Sequence, residues 1–403
     1  MSFVLLVLAL VAFGLTLTGL HRPAADGSGA PWLLALAAGE LTVVLFAGHV
    51  VLALAARWLG WTAGWLGGAA LAVLVASAAG LVVVQRRTAM ARPAIAAGVA
   101  ELLGEPVVLP AIPLRRVIDP RPRAPLGVVR QPSVRYGPDA RHLIDVIAGP
   151  GGAGPAPVLL QVHGGGWTGG RLNRQGRPLL HRMAQAGWIV AEATYRLSPA
   201  ATFPDHLVDV KRAIGWIRRH AVDLGADPSF VAITGGSAGG HLAALAALTG
   251  NDPAFQPGFE AADTSVQACV PVYGVHDLLD ATGRAPKWPY LVFAVMKSHP
   301  TDDPDRWALG SPVDMATPDR PPFLVVHGGA DTLVFPEDSR RLVAELRRVG
   351  GPAVGHVEIP WATHGFDTFG SVRALHHAEG VAMALDALWA DHRAAVGTEE
   401  EWS

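Results

Sequence analysis

The 403-residue sequence predicts an α/β fold: a mostly parallel eight-stranded sheet with helices on both faces, preceded by an all-α transmembrane segment of about three helices. Three observations lead there. From Ser133 onward, short β-rich runs alternate with helical patterns, which is how parallel sheets with crossover helices read. One of those runs ends in Gly-x-Ser-x-Gly and opens a helix. The third is an asymmetry. The chain is 50% hydrophobic and 16% charged, and the excess lies in residues 1–87.

That leader holds three apolar runs, near 3–20, 32–56 and 61–85. Each is long enough for a hydrocarbon core of roughly 30 Å at about 1.5 Å per residue. Trp32, Trp58, Trp61 and Trp65 stand at or near the ends, as interfacial anchors do. Gly64-x-x-x-Gly68 is a small-residue pattern for close helix packing. A buried hairpin of core helices is the alternative, but almost nothing polar remains for a water-facing side. Glu40 and His49 lie within the second run, where ionisable groups mark function or a packing contact. At their spacing they point to different faces, which favours packing or snorkelling over one shared site. The first run could also be a secretory signal, although only Met1-Ser2 precedes it and Pro23-Ala24-Ala25 is a poor cleavage site. An uncleaved, multi-pass anchor is expected in the cell membrane. Arg22, Arg86, Arg87 and Arg92 place the domain that follows the leader in the cytoplasm, unless the first run is removed.

Residues 88–130 are expected as a connector rich in Arg and Pro, with Thr88–Gly104 as a short interfacial helix and a semi-rigid Pro-rich spacer after it. An α/β domain is expected over 131–397. Its strands fall near Ser133–Tyr136, Leu143–Ile147, Val158–Val162, Ile189–Ala193, Phe230–Thr234, Ala268–Val272, Phe323–Val326 and His356–Ile359. Helices fall near Pro178–Ala186, Leu207–His220, His241–Leu248, Glu337–Val349 and Val372–Ala395. Gly149–Pro157 reads as a surface turn. The insertion at 277–307 is either a small cap or a packed helix, since apolar spacing does not separate the two.

The chemistry is concentrated in four loops. Gly235-Gly236-Ser237-Ala238-Gly239 follows Phe230–Thr234 and reads as a nucleophile elbow, in which small neighbours let the chain bend sharply. His163-Gly164-Gly165-Gly166-Trp167 closes the strand Val158–Val162. Its glycines let main-chain amides approach a developing oxyanion, so Gly164, Gly165 and Ala238 are the expected donors. An acid and a histidine then follow in the order this arrangement requires. Asp331 stands just past Phe323–Val326, and His364 in the loop after the last strand. Asp277, after the sixth strand, is the alternative acid. Among the 16 histidines, His327 reads as shaping the acid loop, and His376 and His377 as helix-face residues. Trp167, Trp288, Tyr290 and Phe293 are candidates for the substrate pocket.

These motifs resemble those of the α/β-hydrolase carboxylesterases and lipases that share a His-Gly-Gly-Gly motif, hormone-sensitive-lipase-like or BD-FAE-like. The resemblance runs from about Ser133 to Trp389 and includes Tyr195-Arg196-Leu197-Ser198-Pro199, Phe203-Pro204 and Gly225-Ala226-Asp227-Pro228. It implies the α/β-hydrolase fold and a serine esterase with Ser237, Asp331 and His364 as triad. It implies no cofactor and no metal, and makes Arg196 and Asp209 a structural pair. The apolar leader departs from the soluble members. A lipophilic ester and membrane lipid are the expected partners. An amide or arylformamide hydrolase is the competing enzyme, and a non-catalytic membrane sensor the competing class. A net charge of −2 gives no electrostatic footprint for nucleic acid. The single cysteine, Cys269, leaves no disulfide within the chain.

Overall fold

The computed structural model describes residues 1–23, 30–150, 155–279 and 288–400. The cleavage junction at Ala24-Ala25, the middle of the Gly149–Pro157 turn and part of the 277–307 insertion lie outside the described residues. The chain starts with helices α1 (Ser2–Leu20), α2 (Ala30–Glu40), α3 (Thr42–Trp58), α4 (Gly64–Thr88), α5 (Ala91–Leu103) and α6 (Leu114–Ile118). Strands β1 (Val129–Arg130), β2 (Val134–Arg135), β3 (Leu143–Ala148) and β4 (Ala156–Val162) follow, then α7 (Arg177–Gln185) and β5 (Ile189–Ala193). Next are α8 (Asp205–Arg219), α9 (Ala221–Leu224), β6 (Ala226–Gly236), α10 (Ala238–Leu248) and β7 (Ala268–Val272). A short helix α11 (Trp288–Tyr290) runs into a π-helical turn (Leu291–Met296) and is followed by α12 (Pro304–Leu309). The chain closes with β8 (Phe323–Gly328), α13 (Pro336–Val349), β9 (Val354–Ile359) and α14 (Val372–Glu400).

The strands form one sheet in the order β1-β3-β5-β4-β6-β7-β8-β9, with β2 also on β3. From β5 to β9 every pairing is parallel, and β3 is antiparallel to its neighbours. The sheet therefore has nine strands among the described residues, where eight were expected. The added one is two residues long, too short for any alternation to show in sequence. Strands β4, β5, β7 and β8, and β6 from Phe230 onward, are almost wholly buried, as parallel strands covered by helices on both faces must be.

Register decides where the chemistry meets. Val162 pairs with Gly235, and Gly328 with Ile359. The carboxyl ends of β4 and β6, and of β8 and β9, are therefore neighbours, and the four motif loops leave the sheet along one edge. On α13, Pro336 opens the helix, Glu337 and Asp338 occupy its first turn and Arg347 and Arg348 its last. That distribution suits the helix dipole and fixes the helix just behind the acid loop.

The leader differs from expectation in two ways. The run at 32–56 is not one helix: α2 and α3 meet at an angle of 81°. The cause is Glu40, whose carboxylate pairs with the Arg373 guanidinium of α14 at 2.7 Å, with both side chains almost fully buried. Arg373 also donates to the Gly39 carbonyl at 3.2 Å. The end of α2 is thus bound to the α/β domain, and the chain turns there. Gly64 and Gly68 face open space, so that pattern makes no helix contact. The close approaches are instead at Gly19, against Ala38 and Val84, and at Gly80, against Thr16 and Leu20.

Helices α1, α3 and α4 pack with their polar groups inward. Thr16 Oγ1 and Ser77 Oγ are 2.8 Å apart, and His49 Nε2 lies 2.7 Å from the same Ser77 Oγ. Phe3, Val11, Val51, Leu54 and Val75 face outward and are exposed. Water would drive the reverse arrangement.

Residues 88–130, expected as a connector, contain a helix that enters the core. Ile95, Val99 and Leu102 of α5, with Leu109 after it, are buried in the cluster that includes Val357, Ala378 and Val381. Gly98 permits this, because a Cβ there would overlap Val357 and the His356 carbonyl. Full burial of such side chains is worth about 1.5–3 kcal/mol each, against a total domain stability of roughly 5–15 kcal/mol. A chain beginning at Ala124 is therefore expected to lose cooperative folding, while one beginning at Met90 keeps it. Limited proteolysis and near-UV circular dichroism of the two chains check this.

Candidate active site

Ser237 stands between β6 and α10 with φ 58° and ψ −124°, a backbone conformation that non-glycine residues adopt only under constraint. The constraint is steric. A Cβ on Gly235 would come within 2.5 Å of Gly239, and one on Gly239 would overlap the Val162 carbonyl. Both positions of the Gly-x-Ser-x-Gly motif are therefore filled by necessity. The Ser237 amide is held by the Val272 carbonyl at 3.0 Å, and α10 begins at the next residue, with its positive end at the serine.

Asp331 is buried, and its Oδ1 accepts from the amides of Leu333 and Val334 at 2.9 and 3.0 Å. Its Oδ2 lies 2.6 Å from His364 Nδ1. Burial works against ionisation of this carboxyl. The electrostatic pull of His364, with the hydrogen bonds from His327 and His364, outweighs that and holds it well below the usual carboxylate range. His327 sits 3.3 Å from the same oxygen and bridges Ser339 and the Val334 carbonyl, at 2.7 and 3.0 Å. Asp277 is paired with Arg341 of α13, so the structure joins His364 to Asp331 and not to the alternative acid. His376 and His377 lie on α14, buried.

Ser237 and His364 line one cavity of about 440 Å³, together with Gly165, Gly166, Trp167, Tyr273 and Tyr290. Among the expected amide donors, Gly164 is already engaged: it donates to Gln175 Oε1 at 2.6 Å. Gln175 itself lines the cavity and carries no motif that would have marked it. Gly165 borders the cavity with φ +123°, and Ala238 holds the first helical position after the serine, where an amide has no partner inside its own helix.

The pocket candidates divide. Trp167 lines the cavity and is buried. Tyr290 also lines it, and its hydroxyl donates to the Gly166 carbonyl. Phe293 is a correction: it is 71% exposed. The π-helical turn buries Leu291, Ala294, Val295 and Met296 instead, and Leu291 is the one that reaches the cavity. The Trp288 side chain lies outside the described residues.

Other cavity residues, like Gln175, are not among the site candidates that the sequence offers. Leu333 and Val334 come from the acid loop, and Tyr273 follows β7 with its ring 4.6 Å from that of His364. The Tyr273 hydroxyl donates to Asp367, a carboxyl that burial pushes above its ordinary range. Another, Trp32, belongs to α2 of the leader. Behind the site, His163 stacks on Tyr195 at 4.4 Å, and burial lowers it to about 4, a neutral support for the glycine loop. Arg196 grips Asp209 with guanidinium hydrogen bonds of 3.1, 2.9 and 2.8 Å and a backbone one of 2.9 Å.

Residues 144–346 match the BD-FAE family model. The chain belongs to the BD-FAE family. This family member is 47% identical over 243 residues to the probable carboxylic ester hydrolase LipM of Mycobacterium tuberculosis, a match covering 60% of this chain and 56% of LipM. It is 46% identical over 260 residues to esterase LipQ of the same organism, covering 64% and 62%. The chain thus spans less than two thirds of these relatives' length. Among solved structures, the propionate-bound esterase Est2 of Thermogutta terrifontis is 26% identical with a TM-score of 0.53, over 65% of this chain and 94% of that one. Esterase B of Lactobacillus rhamnosis shares the fold, with a TM-score of 0.58 at 21% identity over 70% and 94%.

Proposed function

We propose that this BD-FAE member is a membrane-anchored serine carboxylesterase that hydrolyses a lipophilic ester through an acyl-enzyme. The observation that carries the reading is the constrained Ser237 on the same cavity as the His364–Asp331 pair. The names of LipM and LipQ support ester hydrolysis. In the proposed reaction, His364 accepts the Ser237 proton as the oxygen attacks the carbonyl carbon. Asp331 keeps the imidazole in the tautomer that leaves its far nitrogen free to do so. The amides of Gly165 and Ala238 meet the oxyanion, with Gly164 joining only if Gln175 releases it. The alcohol departs with the proton from His364. Water, deprotonated by the same histidine, then frees the acid and Ser237.

The membrane part of the proposal rests on length and on the inverted polarity of the leader. Helices α1 and α4 are long and apolar enough to cross a bilayer, and the α2–α3 pair passes the same test only together. The second apolar stretch extends through Leu103 by composition, but α5 is buried in the catalytic core, so the crossing ends near Thr88. At 17 residues, α3 is at the short limit for a span. With α1, α3 and α4 crossing, α2 lies along the surface on the catalytic side. Arg86 and Arg87 at the end of α4 support a cytoplasmic location for that side.

The test uses the full chain. A fluorophosphonate is expected to label Ser237 once per chain, and aryl esters of medium or long acyl chains to turn over faster than acetyl esters, with a further gain when they are embedded in vesicles. Strict acetyl preference with no gain in vesicles would overturn the lipophilic substrate. An unlabelled, inactive protein would overturn the esterase.

A further inference from the structure

We propose that Trp32, carried by α2 of the leader, is a positioning residue for His364 and the wall that selects the acyl group, so that the membrane-anchoring segment completes the active site. This rests on the esterase reading of Ser237 and His364.

Two contacts define the role. The Trp32 indole N–H donates to the main-chain carbonyl of His364 at 2.6 Å, and its ring meets the imidazole edge-on, with centroids 6.0 Å apart. The same residue lines the cavity that Ser237 and Gly165 also line. His364 therefore has two handles. Asp331 holds the side chain, and Trp32 holds the peptide that follows it. The second handle is needed because the histidine loop has little regular structure of its own: Trp361 and Gly365 both sit at positive φ.

A swinging lid would make similar contacts only part of the time, and the rest of the interface decides against one. The Glu40–Arg373 pair that ends α2 is buried on both sides. Opening it would strand a charge in the interior, which is among the more costly changes a fold can make. A second leader helix grips the same loop, with the Arg87 guanidinium 3.8 Å from the centre of the Trp361 ring and hydrogen-bonded to the Leu20 carbonyl at 2.7 Å. Leu36 packs toward Gly365. The leader thus holds the histidine loop at Trp361, His364 and Gly365, and at Arg373 beyond it. Trp32 is a fixed wall, built by the anchor.

The experiment compares wild type, Trp32→Phe, Trp32→Ala and Trp65→Phe, each as the full chain in detergent micelles, on a series of aryl esters of increasing acyl length. Phenylalanine keeps the ring and removes the N–H. Trp32→Phe is expected to lower kcat by about 10- to 100-fold, the order of cost of a misplaced catalytic group, with KM for a short ester unchanged. Trp32→Ala is expected to lower kcat likewise and to move the preferred acyl length upward, because the wall is gone. Trp65, 80% exposed and away from the cavity, serves as the control and is expected to match wild type. A merely structural Trp32 would lower the amount of active protein, read by fluorophosphonate titration, and leave kcat per labelled site and the acyl profile unmoved. That result overturns the proposal while the esterase reading stands. A wild-type protein that neither labels nor hydrolyses overturns the esterase reading and the role of Trp32 with it. If Trp32→Ala does not fold, the kcat of Trp32→Phe decides alone.

Discussion

Replacing Ser237 with alanine is expected to abolish ester hydrolysis while leaving the fold in place. Loss of the nucleophile in a comparable triad costs on the order of 10⁶ in turnover. The fold should tolerate the change because the turn is set by Gly235 and Gly239, whose missing side chains make room for Val162 and for each other. Alanine inherits the positive φ of Ser237 but adds no atoms. The check is kcat on an aryl ester alongside the thermal unfolding midpoint of both proteins. A variant that keeps more than a few per cent of the rate would remove Ser237 from the mechanism.

Asp331→Asn is the second large effect, with kcat expected to fall by about 10⁴. Oδ1 of Asp331 is occupied by two backbone amides, so an asparagine oxygen keeps that place and its NH₂ turns toward His364. Nδ1 then becomes an acceptor, the proton moves to the far nitrogen, and the histidine can no longer accept one from the serine. Asp277→Asn should change kcat far less, because that carboxylate is engaged with Arg341. Measuring both variants on one substrate ranks the two acids, and a reversed ranking would move the acid to the loop after β7.

What the sequence made legible was local, or followed from chain order. The nucleophile turn, the glycine loop, the acid and the histidine each announce themselves within a few residues. A parallel sheet then brings the carboxyl ends of their strands to one edge. What it hid depends on contacts between distant residues. Trp32 is 332 positions from His364, and in sequence it is one more tryptophan at the edge of an apolar run. Gln175 occupies the Gly164 amide from a loop with no pattern. Phe293 misled because aromatic composition does not say which side of a π-helical turn faces inward. Within the second apolar run, the one sign of a break was Glu40. An ionisable residue in such a place does ask for a partner, but that partner lies in the last helix of the chain.

The Glu40–Arg373 pair also orders events during synthesis. The two residues are 333 positions apart, so at ~5–20 residues per second the ribosome separates their appearance by on the order of tens of seconds. Throughout that interval α2 carries a carboxylate with no guanidinium to receive it, which on the membrane-anchored reading holds it at the water-facing surface of the bilayer. Only when the last helix emerges can α2 dock and bring Trp32 to the histidine loop. On the membrane-anchored esterase reading, a nascent chain inserts and folds most of its sheet before Trp32 is fixed at the histidine loop, and hydrolysis waits for Arg373 to arrive.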